Sequence, residues 1–213
     1  MKEKNIMRYI FVILALLHYR CSSAPSREVQ AGDLLFQSNS GGLSDAIGEV
    51  TKSAKGYSFS HVGMAVPDSS GRLWVVEAAG KDVHLTSIDS FVRRGNVAMI
   101  GRVKEAYKSL IPAATAFALR QIGTPYDSSY LYGNGKYYCS ELIYDAFLFA
   151  NQGAPFFFLD SMTFKTATGE LSEAWVAHYK KLNMPVPEGK PGCNPGGLSR
   201  SEKIEVGEAL ILH

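Results

Sequence analysis

The chain has 213 residues, 46% hydrophobic and 11% aromatic, enough apolar surface for one core of ordinary size, which excludes a disordered or low-complexity protein. Setting aside residues 1–20 removes four basic residues and Glu3, so the formal charge moves from +2 to −1. With no basic stripe and no interleaving of aromatic and basic residues, the composition argues against a nucleic-acid partner.

Lys2, Lys4 and Arg8, followed by the uninterrupted apolar run from Tyr9 to Leu17, read as an export signal. That run is too short to span a bilayer as a permanent anchor. Residues 1–20 are therefore expected to be a signal peptide, 21–30 a polar tether, and 31–213 a single domain. Cys21 stands where a bacterial lipoprotein is acylated, which would hold the protein on a membrane. Arg20 occupies the place of the small residue usual before such a cysteine, and Ser22-Ser23-Ala24 offers a plain secretory cleavage site. Lipid anchoring at Cys21 is favoured over free secretion, and either outcome places the protein in a bacterial cell envelope or periplasm.

Along the chain, AGDLLFQ (31–37) reads as a turn entering a first strand, and Leu43, Ile47 and Val50 mark a short amphipathic helix between polar loops. SHVGMAV (60–66) and RLWVVEAA (72–79) form a hairpin through Pro67, Asp68, Ser69, Ser70 and Gly71. DVHLTSI (82–88) alternates, and NVAMIGRV (96–103) closes the sheet. A helix follows over Ser109–Ile122, with Gly123 as its C-cap. The loop GTPYDSSYLYGNGKYY leads into a second helix in which Cys139, Ile143, Ala146 and Ala150 share one stripe. Beyond Asn151 come the cluster Phe156–Phe158, a helix over Leu171–Lys181, an irregular Pro/Gly-rich stretch at 185–197, and a closing strand, KIEVGEALIL. No repeat and no interdomain linker interrupts this order.

The chemistry centres on Cys139. In the first turn of a helix, unpaired N–H groups and the macrodipole favour a thiolate, and the same N–H groups can receive the oxyanion of a tetrahedral intermediate. His61, in a central strand, is the histidine best held to act as base; His18, His84, His178 and His213 lie in the leader, a turn, a polar helix and the terminus. Glu77 interrupts the apolar run WVVEAA, where a carboxylate is costly unless paired, and pairing with His61 across the hairpin accounts for both. An inert alternative stays open for each: a cysteine packed as a small hydrophobe, a backbone-satisfied histidine, a glutamate at a solvated edge. A disulfide between Cys139 and Cys193 would abolish the chemistry; Cys193 itself lies in a Pro/Gly loop with no helix terminus to activate it.

GDLLF, SHVGMAV, VVEA, GTPYD and YYCSELIYDAF, in this order between Gly32 and Phe147, resemble the circularly permuted papain-like amidases, the YiiX-like branch of the NlpC-type superfamily. His61 precedes Cys139, as in the permuted branch. The resemblance implies an α+β fold, an antiparallel sheet packed against the helix bearing the cysteine. It also implies a triad of Cys139 as nucleophile, His61 as base and Glu77 as orienting carboxylate, and gives Tyr126 of GTPYD a place at the pocket or the oxyanion. Ser60, Tyr138 and Glu141, flanking the catalytic positions, complete the expected substrate-binding set. Relatives that cleave peptidoglycan carry Asp-Cys-Ser-Gly, whereas Tyr138 precedes Cys139 here and Glu141 follows Ser140, so a cell-wall stem peptide is not implied.

The expected function is hydrolysis of an amide through an acyl-enzyme, with no metal and no cofactor. Two alternatives remain: a lipid esterase or acyltransferase using the same triad, for which the Phe156–Phe158 cluster suits an acyl chain, and a non-catalytic envelope binding domain. The expected partner is a small-molecule, peptide or lipid substrate; the sequence carries no signal of oligomeric state.

Overall fold

The computed structural model describes residues 28–210, so the expected signal peptide, Cys21 and most of the tether lie outside the described residues. Strand β1 (Leu34–Ser38) grows out of a turn at Gly32, whose φ is +84°, and a Cβ there would come within 2.5 Å of the Ile111 side chain. Asp33, beside it, receives Arg102 in a two-point pair, Nε to Oδ1 at 2.9 Å and Nη2 to Oδ2 at 2.7 Å. That pair ties the start of β1 to β5 (Val97–Val103), so the GDLLF motif anchors the sheet.

Strands β2 (His61–Pro67), β3 (Leu73–Ala79) and β4 (Asp82–Ser87) extend the sheet on one side, and β8 (Ile204–Ala209) on the other. The order is β4-β3-β2-β1-β5-β8, every neighbouring pair antiparallel. The period of two sends Val62, Met64, Val66, Val76 and Ala78 into the main core, where α3 (Ile111–Arg120) and α4 (Cys139–Ala150) cover them. On α4, Leu142, Ile143, Ala146 and Phe147 are fully buried, each large apolar side chain contributing about 1.5–3 kcal/mol of burial. Leu35, Ala65 and Val75 form a smaller core on the opposite face with Phe91 of α2 (Ile88–Arg94). This is the α+β arrangement expected from the sequence, an antiparallel sheet against the cysteine helix.

Several elements differ from the sequence reading. The alternating segment after Asp82 ends at Ser87 because that residue caps α2, its Oγ accepting the Ser90 N–H at 3.2 Å; seven residues are too few for this helix to show a period. The expected helix at 109 begins at Ile111 after a 3-10 turn over Glu105–Leu110, and its C-cap is Gln121 rather than Gly123. Helix α1 (Leu43–Val50) packs on α5 (Glu173–Lys181), which starts two residues later than expected. The Pro/Gly-rich stretch is partly ordered: β7 (Pro191–Gly192) pairs with β6 (Asp160–Ser161), and Asn194 caps α6 (Pro195–Ser199) through the Gly197 N–H at 2.7 Å. Phe156 and Phe157 join the core against Phe147, whereas Phe158 is 74% exposed.

Candidate active site

The β2–β3 register pairs Met64 with Val76, so one step further Gly63 faces Glu77, and His61 lies diagonally across from Glu77 on the same face. No side chain fits at 63, since a Cβ would stand 2.4 Å from Val75 Cγ1 and 3.1 Å from Phe91 Cε2. Glu77 is fully buried, and His61 Nε2 meets its Oε2 at 2.6 Å. Arg94 Nη2 donates to the same oxygen at 2.5 Å, and Thr86 Oγ1 donates to Oε1 at 2.5 Å. A buried carboxylate is tolerable only when its lone pairs are used, and three donors use them here. Burial pushes the Glu77 carboxyl up, but the hydrogen bond and charge of His61, then Arg94 and Thr86, outweigh it and hold it at about 2. Arg94 and Thr86 were not anticipated from the sequence; a pair of cations closing α2 was the available signal.

Cys139 is the first residue of α4 and only 4% exposed. Cys139 lies close enough to the His61 ring to act on its charge, and because Glu77 takes Nε2 the ring has Nδ1 left for the sulfur. Burial lowers His61, yet the hydrogen bonds to Cys139 and Glu77 and the charges of both raise it to about 9, so a protonated imidazole faces the sulfur at neutral pH. The Phe91 ring packs 5.7 Å from the imidazole, and Gln37, opposite His61 in the β1–β2 register, donates to the Phe91 carbonyl. Tyr138, the N-cap of α4, contributes no side-chain cap, so the first-turn N–H groups lack intrahelical partners. Cys139 and Cys193 are both free thiols, so the disulfide alternative is not formed, and burial pushes the Cys193 thiol well above its ordinary range.

The four expected substrate-binding residues separate. Tyr138 lines the cavity at Cys139, but its hydroxyl accepts the Cys193 N–H at 3.2 Å, and Ser140 Oγ donates to the Cys193 carbonyl at 3.0 Å, pinning that segment beside the nucleophile. Tyr126 is not among the lining residues; its hydroxyl donates to Tyr130 at 3.1 Å, and Tyr130 is the one on the cavity wall. Tyr130 adopts φ +52°, a left-handed conformation unusual for tyrosine, held by Asp127, whose side chain accepts the N–H of Ser129 at 2.9 Å and of Leu131 at 2.8 Å. Burial raises the Tyr130 hydroxyl to about 12, with the nearby charge of Cys139 adding to it. Ser60 and Glu141 are not among the residues that line the cavity. Ser60 is buried and its Oγ accepts the Asn39 N–H at 2.9 Å, holding a loop. Glu141 is buried, and its Oε1 accepts the Gly133 N–H at 2.7 Å, an internal clamp on the loop ahead of the nucleophile, while its Oε2 is buried with no hydrogen-bond partner among the described residues. Burial pushes Glu141 up to about 8.

A cavity of about 270 Å³ opens at Cys139, with Ile47, Val50, Tyr130, Met162, Phe164 and Trp175 among its walls. It adjoins a second, of about 900 Å³, through Asp160, Cys193, Asn194 and Arg200, which line both. Cys139 borders the first cavity and His61 does not, so the nucleophile is where cavity and histidine meet.

The family model for the permuted papain-like amidase enzymes, the YaeF/YiiX or C92 family, matches residues 28–205. The chain belongs to that family. It is accordingly a hydrolase of the cysteine amidase type. The crystal structure of the metalloprotein yiiX from Escherichia coli O157:H7 matches with a TM-score of 0.71 at 22% identity, over 84% of this chain and 97% of that one, a likeness of fold. No curated protein matches. That relative is described as a metalloprotein; among the described residues of this chain, no three His, Cys, Asp or Glu side chains gather as a metal would require, so the residues do not fit a resident ion.

Proposed function

We propose that this protein hydrolyses an amide of a small-molecule, peptide or cell-envelope substrate through an acyl-enzyme on Cys139, with His61 and Glu77 completing a triad. The observation that carries this reading is the single imidazole that is hydrogen-bonded to a fully buried, triply bonded carboxylate and is the neighbour of Cys139 at the start of α4. Cys139 Sγ attacks the carbonyl carbon, and the carbonyl oxygen becomes an oxyanion received by first-turn N–H groups of α4 and by the Tyr130 hydroxyl. Tyr126 donates to Tyr130 and thereby leaves the Tyr130 proton free to point at that charge. As the C–N bond breaks, His61 gives its proton to the leaving amine. The neutral ring then takes a proton from the water that attacks the thioester and becomes imidazolium again, and collapse of the tetrahedral intermediate breaks the C–S bond, releasing the acid and restoring the thiolate. Export and anchoring through Cys21 would deliver this chemistry to the cell envelope.

The test is the intact mass of the protein mixed with an activated acyl donor. An adduct of the acyl mass on Cys139, absent in Cys139→Ala and not turned over in His61→Ala, is expected. No adduct on the reduced native protein would favour a non-catalytic binding domain. The apolar cavity suits an acyl chain in an ester as well, and matched amide and ester substrates separate the readings, since turnover of the ester alone would defeat the amidase.

A further inference from the structure

We infer that Arg94 is a positioning residue of the triad. It is a fixed cation that shares the Glu77 oxygen with the imidazole, and so lets His61 stand without its Nδ1 proton while it acts as base on the thioester. This rests on the hydrolase reading above, because only a reacting triad needs an unprotonated Nδ1 beside a buried carboxylate.

Arg94 is the last residue of α2, and that end of the helix is fastened to the sheet. Gln37 of β1 donates to the Phe91 carbonyl, and the Asn96 N–H, just past the helix, donates to the Ser38 carbonyl at 2.9 Å. Gly95 allows the approach, since a Cβ there would stand 2.9 Å from Gln37 Nε2. The guanidinium lies 5.4 Å from the centre of the Phe91 ring, which itself packs 5.7 Å from the imidazole, and Nη2 donates to Glu77 Oε2 at 2.5 Å. Its neighbour Arg93 shows the ordinary alternative: it pairs with Asp89 at 3.4 Å with both side chains largely exposed, where an ion pair contributes little. Arg94 is turned the other way, onto a carboxylate with no exposure at all.

Charge decides what this contact does. In the reactive form the thiolate, the imidazolium, Glu77 and Arg94 alternate in sign and sum to zero. Acylation leaves the sulfur neutral, and transfer of the Nδ1 proton to the leaving amine leaves the ring neutral too. Glu77 then keeps the Nε2–H but has lost the positive charge behind it. A buried carboxylate with no counter-charge would hold the proton on the imidazole and so remove the base. Arg94 stays in contact, the Glu77–Arg94 pair stays neutral, and Nδ1 stays open to the proton of the attacking water. The other groups facing the carboxylate and the ring do not replace it. His84 Nε2 stands 3.9 Å from Oε1, and its Nδ1 is turned to Asp82 at 3.2 Å, an anion that offsets it. Thr86 on Oε1 and Gln37 opposite His61 are neutral, and Cys139, facing the ring from α4, carries the acyl group at this stage.

The experiment compares Arg94→Met, Arg94→Gln and Arg94→Lys with the native protein. It reads the NMR titration of the His61 imidazole and the hydrolysis rate of the acyl-enzyme formed with an activated acyl donor. Arg94→Met keeps an unbranched stem over Phe91 and removes the charge. Its midpoint is expected about one unit or more above the native one, a tenfold or greater change in proton affinity. Its acyl-enzyme is expected to accumulate, hydrolysing about tenfold more slowly at pH 7 and regaining the native rate as pH is raised. Arg94→Gln, which keeps a donor for Oε2 without the charge, is expected to behave alike, so the result does not depend on one variant folding. Arg94→Lys restores the charge and is expected to return the midpoint to within about half a unit of the native value. A residue that merely held α2 in place would slow hydrolysis equally at every pH and leave the midpoint alone. A midpoint in the neutral variants that is unmoved, or that falls because Glu77 has lost its place, overturns this inference and leaves the hydrolase reading intact. The native protein reports on that reading separately: if its Cys139 takes no acyl group, the hydrolase reading falls and this inference with it.

Discussion

The hairpin that holds His61 and Glu77 and the walls that shape the cavity at Cys139 are built from opposite materials. His61 and Glu77 are 16 residues apart on adjacent strands, and the further donors to Glu77, Thr86 and Arg94, follow within the next strand and helix. A backbone ladder fixes their spacing, and every oxygen of the buried carboxylate is bonded. The cavity draws on α1, the loop after Tyr126, the segment at Met162–Phe164, α5 and Arg200, which are far apart along the chain. The difference teaches that the acid–base apparatus sits in the part of the fold with least freedom, while the groove that selects a substrate is assembled from connections that tolerate change.

Perturbing the hairpin is therefore expected to cost most. Glu77→Gln removes the charge that holds the imidazolium while keeping the shape, and a loss of about 10²–10⁴ in kcat is expected from steady-state kinetics. An intermediate effect is expected on the cavity side: Tyr130→Phe removes a proposed oxyanion donor and lowers kcat about 10²-fold with KM little moved, whereas Tyr126→Phe, which acts through Tyr130, costs about a tenth as much. If Tyr126→Phe proved the more damaging, the order of the two hydroxyls would have to be reversed.

Stability offers a further contrast. Because His61 is raised in the folded protein from 6.5 to about 9, its contribution is complete below pH 6.5 and is lost as pH rises through about 9. Glu77 is depressed from 4.5 to about 2, so its contribution is complete above pH 4.5 and is lost as pH falls through about 2. Melting temperature is accordingly expected to decline between pH 6.5 and 9, and the decline to shrink in Glu77→Gln. The smallest effect is expected at Glu141, which is raised to about 8 and so largely neutral at pH 7. Glu141→Gln mimics that neutral form, and activity at pH 7 within about twofold of the native protein, against a clear loss in Glu141→Ala, would set it apart from a substrate-binding charge.

The same contrast explains what the sequence disclosed. Cys139 was legible because helical periodicity put it in a first turn, and Glu77 because an acidic residue inside WVVEAA needs a partner. The order of His61 and Cys139 pointed to the permuted arrangement. Arg94 escaped because α2 is too short to show a period and begins where strand alternation stops. Tyr130 is not legible because nothing in a tyrosine announces a left-handed backbone; that conformation is imposed by Asp127. Ser60 and Glu141 stand off the cavity for a related reason. Adjacency to a catalytic residue in sequence says nothing about which way a side chain turns, and both turn inward onto backbone N–H groups. The cavity walls combine residues from Ile47 to Arg200, a juxtaposition no local pattern encodes.

The central claim is that Cys139, His61 and Glu77 behave as one unit. It is tested most directly by NMR titration of the His61 imidazole in the native protein, in Cys139→Ala and in Glu77→Gln. The account predicts a midpoint at about 9 in the native protein, with a drop toward 6.5 in each variant, because both partners raise it. A native midpoint near 6.5, unmoved by either substitution, would contradict it.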